Sequence, residues 1–161
     1  MAETGALEPE EWRLWDTYLT AHRTLVREVD RVLQRDCGIS KAEFSVLMAL
    51  WRAPGHELRV GALVGSLDWE KSRVSHLLTR MENRGFVART PRGAPGRRTG
   101  IELTDEGRRT AQAAIARHAG TIRRCFLDPL TAEQAAVIRA WSEQVIERVE
   151  PGQPGPVPGP G

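Results

Sequence analysis

Lysine is nearly missing from this 161-residue chain, which has two lysines against 21 arginines. GC-rich coding produces such a ratio by itself, so the arginine excess is no argument for a nucleic-acid partner. Cysteine is scarce as well: Cys37 and Cys125 show no CxxC spacing and have no His or Asp cluster beside them. That pattern argues against a metal site and leaves both as ordinary thiols, with redox sensing as the alternative. His22, His56, His76 and His118 are scattered and form no catalytic grouping. No apolar run approaches the roughly 18 residues of a membrane span. The first residues, MAETGALEPEEW, carry acids where a secretory signal has bases and an apolar core, so a cytoplasmic location is expected. The chain has no Gly-rich phosphate loop, nucleophile elbow or HExxH motif. Neither an enzyme nor a bound cofactor is expected.

What is present centres on Leu58 to Leu103. From Lys71 to Arg84, Val74, Leu77, Leu78 and Met81 fall at i, i+3, i+4 and i+7, the apolar stripe of an amphipathic helix. The remaining face carries Ser72, Arg73, Ser75, His76, Thr79 and Arg80, with no acid among them. Upstream, Val60, Leu63, Val64 and Leu67 predict a shorter helix, and Leu67-Asp68-Trp69-Glu70 is the break between the two. Gly85 is placed to cap the longer helix. Helix, turn and a longer helix with a basic polar face make a helix-turn-helix pattern.

Phe86–Thr90 and Thr99–Leu103 are short β-prone runs around a loop rich in Pro, Gly and Arg, from Pro91 to Arg98. A hairpin there is a wing whose arginines can reach a minor groove or phosphates. Asp68 to Arg98 holds eight Lys/Arg against three Asp/Glu, in a chain whose net charge is only +2. The positive charge is therefore local, as a nucleic-acid footprint requires.

Three runs carry a family resemblance: Leu58-Arg-Val…Leu63, Ser72-Arg-Val-Ser-His-Leu-Leu-Thr-Arg-Met-Glu-Asn-Arg-Gly-Phe-Val87, and Gly96-Arg-Arg-Thr-Gly-Ile-Glu-Leu-Thr-Asp-Glu-Gly107. Together they resemble the MarR (multiple antibiotic resistance regulator) family of bacterial transcription factors, over roughly residues 10 to 149. The resemblance implies a mostly α, winged-helix (α+β) fold with about six helices, a small β-wing and an intertwined homodimer. The implied division is 1–36 as an N-terminal dimerisation helix, 40–104 as the winged helix-turn-helix, and 105–149 as C-terminal dimerisation helices. The 151–161 segment, PGQPGPVPGPG, is expected to be disordered.

The flanking periodicities agree. A helix opening near Glu8-Pro9-Glu10 carries Trp12, Trp15, Leu19, His22, Val26, Val29 and Leu33, with Tyr18, Leu25 and Val32 widening the stripe. Gly38 is placed to cap it. Ser40…Glu43 is a capping box, and Phe44, Leu47, Met48 and Trp51 form the stripe that follows. Thr104 is the expected N-cap of a helix through Ala111, Ile115, His118, Ile122 and Phe126. Thr131…Gln134 opens a last helix bearing Ile138, Trp141, Val145 and Val149. The first and last two helices thus show more apolar surface than one winged helix can cover, which pairing with a second copy resolves.

The expected function is a dimeric, sequence-specific DNA-binding regulator, a ligand-responsive repressor of a (pseudo)palindromic operator; the alternative is a redox-sensing regulator using Cys37 or Cys125. A winged helix that binds protein instead is disfavoured by the basic recognition face. Arg73 is the leading candidate for a bidentate guanine contact, alongside Ser72, Ser75 and His76 at base edges and flanking phosphates. Lys71, Thr79 and Arg80 are expected to grip phosphates. The wing arginine of the family corresponds to Arg97, with Arg98 beside it. Many members carry an Asp two residues before that arginine, where this chain has Pro95; proline fixes its own backbone but does not supply the usual bracing of the wing. The resemblance further implies a small aromatic or anionic effector between dimer base and winged helix, its identity unknown. Trp15, Trp51 and Trp69 are near enough in the implied fold to line or border that cleft, but core packing is the expected role of each.

Overall fold

The computed structural model describes residues 6–91 and 100–150. Six α-helices and one small sheet follow in the order α1 (Pro9–Cys37), α2 (Lys41–Arg52), β1 (Glu57–Arg59), α3 (Val60–Leu67), α4 (Lys71–Asn83), β2 (Val87–Thr90), β3 (Gly100–Leu103), α5 (Asp105–Ile122) and α6 (Ala132–Val149). This is the mostly α winged-helix architecture.

Local chemistry sets the helix ends. Pro9 occupies the first turn of α1, where its missing N–H costs nothing. Gly38 closes that helix at φ 63°, donating its N–H to Gln34 O. In α2, Ser40 Oγ accepts from Glu43 N while Ser40 N donates to the Glu43 carboxylate at 2.8 Å, the reciprocal capping box. Thr104 caps α5 through Gly107 N, and Thr131 and Gln134 box the start of α6. At the end of α4, Gly85 N donates to Glu82 O and Phe86 N to Met81 O, with Gly85 at φ 75°. That pair of bonds is the Schellman motif, and it needs a residue comfortable in the left-handed region.

Three strands pair rather than two. The sheet order is β1-β3-β2, all antiparallel, with Ile101 opposite both Leu58 and Arg89. No strand was expected before the short helix; the chain adds Glu57–Arg59 to the edge of the wing sheet. A second difference lies past Ile122, where five residues, Arg123–Leu127, form a π-helical turn before Pro129.

Leu33, Leu47, Leu50, Leu63, Leu78, Met81, Ile101 and Leu103 are all essentially inaccessible and belong to one core. α2 lies at its centre, between α5 on one side and α3, α4 and the sheet on the other. α1 packs along α5. The chain just before β2 and the first turn of α5 approach closely: a Cβ on Gly107 would stand 1.9 Å from Phe86 O. Only glycine allows that approach. Thr104 adds two bonds at the same joint, from its N–H to Phe86 O and from its hydroxyl to Gly85 O.

A separate group of apolar side chains lies outside the core. Trp12, Leu14, Trp15 and Tyr18 of α1 and Val137, Trp141 and Val149 of α6 are all exposed, Leu14, Val137 and Val149 by 67% or more. None of the α6 residues is buried. Tyr18 and Trp141 meet edge-to-face at 5.3 Å, which brings the two helices into one aromatic surface. Of the expected stripes, Val32 and Leu33 at the end of α1 are buried, whereas Trp12, Trp15, Tyr18, Trp141, Val145 and Val149 stay exposed; Leu14 and Val137 lay on neither stripe.

Candidate nucleic-acid interface

The exposed polar and cationic side chains of the candidate site collect on α4. Val74, Leu77, Leu78 and Met81 are buried against α2, α3 and β2, which fixes the rotation of the helix. At 100° per residue, the positions directly opposite that stripe are 72, 76, 79 and 83. Ser72, His76, Thr79 and Asn83 are all exposed there. Lys71, Arg73 and Arg80 are exposed on the flanks, and Ser75 is partly buried. Among the described residues, Lys71 and Arg80 have no carboxylate partner, so both ammonium and guanidinium are free for an external anion.

Arg73 is placed differently from the sequence reading, which put it opposite the buried stripe. One position from Val74, it stands on the flank, and its guanidinium lies over the Trp69 ring, 4.4 Å from the centroid. Trp69 follows Asp68, whose left-handed conformation (φ 51°) turns the chain between α3 and α4. Asp tolerates that region because its short polar side chain bonds locally. The inter-helix turn therefore presents an indole as a platform for the first arginine of α4, a contact worth about 0.5–1 kcal/mol at an exposed site. Arg73 and Trp69 border a cleft of about 550 Å³ that also meets Asp30, Gln34 and Lys41.

Three contributors went unread in the sequence. Asn83 completes the outward face. Arg89 of β2 donates to Glu82 at 3.1 Å and to Thr79 Oγ1 at 3.4 Å, tying the wing to the recognition helix. Thr79 also donates to Ser75 O at 3.1 Å, so its hydroxyl is already engaged on both sides. Arg84 donates to Glu43 and to Gly38 O, which anchors the far end of α4 on α1 and α2. A helical wheel would have found Asn83; the two arginines depend on long-range pairing. Arg97, Arg98 and Pro95 lie outside the described residues.

Between α2, α3 and α5 lies a cavity of about 850 Å³. Its walls are Phe44, Met48, Ala49, Leu58, Leu67, Ile115, Ala119 and Ile122, with Ser45, Arg52, Ser66 and His118 among them. No tryptophan lines it among the described residues; Trp51 and Trp69 pack against the core, the role expected of them. Trp51 is stacked on His56 at 5.0 Å, Trp69 holds Arg73, and Trp15 is exposed beside Tyr18. Arg52 and Ala53, further along α2, do line the cavity, whereas the Trp51 ring is covered by His56 of the 54–56 turn. Burial pushes the Cys37 thiol up, and Asp36 adds to the effect. Cys125 sits partly buried on the π-helical turn.

Comparison with known proteins follows this geometry. Residues 38–98 match the family model described as MarR family. The chain is 34% identical over 96 residues to the transcriptional regulator HosA of Escherichia coli O127:H6, covering 60% of this chain and 69% of HosA. It is 31% identical over 81 residues to the HTH-type transcriptional repressor YetL of Bacillus subtilis, covering 50% of this chain and 48% of YetL. Among solved structures it is similar to Sco3205, a MarR family transcriptional regulator from Streptomyces coelicolor in complex with DNA. Identity there is 30% and the TM-score 0.78, over 94% of this chain and 95% of that one.

Proposed function

This chain belongs to the MarR family of DNA-binding transcriptional regulators, and on that footing we propose that it acts as a homodimeric, effector-released repressor of a (pseudo)palindromic operator. The observation that carries the reading is the outer face of α4, where Ser72, His76 and Asn83 are exposed beside Lys71 and Arg80, cations without a carboxylate partner among the described residues. Hydroxyl, imidazole and amide can pair with base edges, and the flanking cations with phosphates. Sco3205, similar along nearly its whole length, is a regulator seen on DNA. The name of YetL supports repression over activation.

Two copies follow from the exposed aromatic surface. Residues 1–36 and 105–149 form the dimer base, and 40–104 reads DNA. Two-fold symmetry then sets two recognition helices on successive half-sites, so the operator mirrors the protein. The cavity between α2, α3 and α5 joins base to reader, and an occupant acts there through unequal affinity for DNA-competent and incompetent spacings. Redox control is the weaker reading: a thiol whose pKa is raised, as at Cys37, is mostly protonated and a poor nucleophile.

A salt-titrated gel shift with sedimentation tests the reading. Binding of the operator falls steeply with salt, and the protein sediments at about twice its 17.9 kDa chain mass. A monomer at micromolar concentration, or binding indifferent to salt, would overturn it.

A further inference from the structure

We propose that His118 selects what enters the α2–α3–α5 cavity: its Nε2–H is the donor offered there, so the occupant is an apolar molecule carrying an acceptor oxygen. The inference rests on the effector reading above and says what chemistry that site takes.

The argument begins with a nitrogen that has nothing to bond. His118 Nδ1 is sealed from solvent and has no hydrogen-bond partner. The ring packs on Phe44 with centroids 4.8 Å apart. Burial, with the charge of Lys41, lowers the His118 pKa, so the imidazole is neutral at physiological pH. A neutral imidazole carries one proton on one of its two nitrogens. Placing it on Nδ1 would bury an unpaired N–H, the costlier orphan; a bare lone pair is tolerated better. The proton therefore resides on Nε2, which is not sealed off and belongs to a ring that lines the cavity. The packing fixes the tautomer, and the tautomer fixes the polarity of the site.

The other polar groups agree. Ser45 donates its hydroxyl to Lys41 O at 3.0 Å, and Ser66 donates to Leu63 O at 3.0 Å. Both hydroxyl protons are spent on the backbone. Arg52, the remaining polar wall, is donor-only. Among the described residues no carboxylate lines the cavity, so they offer a cationic occupant no counter-charge. A volume of about 850 Å³ with apolar walls accommodates a bicyclic ring or larger. The acceptor oxygen can be a neutral carbonyl or a carboxylate, and the two are separable by experiment.

Equilibrium dialysis of the full chain at pH 7.5 against four probes on one ring makes the test: 2-acetonaphthone, 2-naphthoate, 2-ethylnaphthalene and 2-(aminomethyl)naphthalene. The wild type should bind the ketone about tenfold more tightly than the ethyl compound, the scale of one good hydrogen bond, and the amine least. His118→Phe keeps a ring against Phe44 and should abolish the ketone's advantage; His118→Gln restores a donor and should recover part of it. If the ketone gains nothing over 2-ethylnaphthalene, if its advantage survives His118→Phe, or if no probe binds, the proposal is overturned. Tight binding of naphthoate that vanishes in His118→Phe identifies a carboxylate as the source; naphthoate binding unaffected by that change assigns selection to Arg52 and overturns the role of His118. Gel shifts with and without the bound probe are read separately. A selective cavity that leaves operator affinity unchanged removes the effector reading and leaves the selectivity standing.

Discussion

Arg84 Nη1 donates to the Glu43 carboxylate at 2.7 Å, joining the last turn of the recognition helix to the first turn of α2 across 41 positions of sequence. Glu43 is 7% exposed and is held at the same time by Ser40 N and Ser40 Oγ. Arg84 caps the arrangement by bonding Gly38 O and lying over the Phe86 ring at 4.5 Å. Three helix ends therefore converge on one guanidinium.

Removing that guanidinium leaves a buried carboxylate short of one partner. Arg84 is 41% exposed, so solvent screens part of the loss. Arg84→Ala should lower unfolding stability by about 1–2 kcal/mol, measured by urea denaturation. Arg84→Lys should recover little of it, because an ammonium cannot reach Glu43 and Gly38 O with one planar fork.

The same site predicts an acid limb. Burial pulls the Glu43 carboxyl upward, but bonds from the Ser40 backbone, the Arg84 side chain and the Ser40 hydroxyl, with the Arg84 charge, hold it below its ordinary 4.5. A depressed folded pKa means that the unfolded chain takes up the proton first. The stabilisation is complete above pH 4.5 and is lost as pH falls through the lower folded value. Melting temperature followed below pH 5 should drop more gently in Glu43→Gln than in the wild type; parallel curves would refute the assignment.

Gly107 offers a sharper test of packing. A methyl group placed there meets backbone, at 1.9 Å from Phe86 O, and backbone cannot rotate away. Gly107→Ala should therefore destabilise by about 2–3 kcal/mol despite the higher helix propensity of alanine. Gly120→Ala is the control: nothing lies within 4 Å of that position, and the same exchange should be neutral or stabilising.

The edge-to-face pair of Tyr18 and Trp141 sits in the middle of the exposed aromatic surface. Charge placed there cannot be buried cheaply. Trp141→Asp should convert a dimer near twice 17.9 kDa into monomer at micromolar concentration, read by sedimentation. Deleting 151–161 should leave the mass ratio unchanged.

Reading and gripping should separate in a selection of bound sequences. Arg73→Ala should relax preference at one base pair, with a loss of about 1–3 kcal/mol on the preferred site. Trp69→Ala should reproduce part of that signature, since the indole holds the guanidinium over its face. Lys71→Ala and Arg80→Ala should weaken every sequence alike and flatten the salt slope by about 0.9 each. Arg97→Ala should cost most on A·T-rich flanks. An Arg73→Ala protein that loses affinity uniformly would reassign that residue to the phosphates.

The sequence was most legible where structure is local. Pro9, Ser40, Thr104 and Thr131 start helices, and Gly38 and Gly85 stop them, because each cap is decided within four residues. The buried stripe of α4 was equally plain. Legibility failed where a partner is distant: Glu57–Arg59 has no pattern of its own and is a strand only because β3 lies beside it. The same holds at the site. The aromatic side chains that looked suited to a ligand cleft are engaged by His56, Arg73 and Tyr18, while the cavity is walled by Phe44 and Ile115 and keyed by a histidine whose significance lies in a missing partner.

The joint at Thr104 has a mechanical consequence. Only Thr104 separates β3 from α5, and it bonds both the Gly85 and Phe86 carbonyls while Gly107 lies close against Phe86 O, so sheet and helix are joined without a slack segment. About the pivot, α5 extends 18 residues, or about 27 Å. β3 extends four residues, or about 13 Å, the other way. A four-residue strand and an 18-residue helix thus meet at one bonded point, and a reorientation of α5 cannot leave the Gly85–Phe86 joint behind.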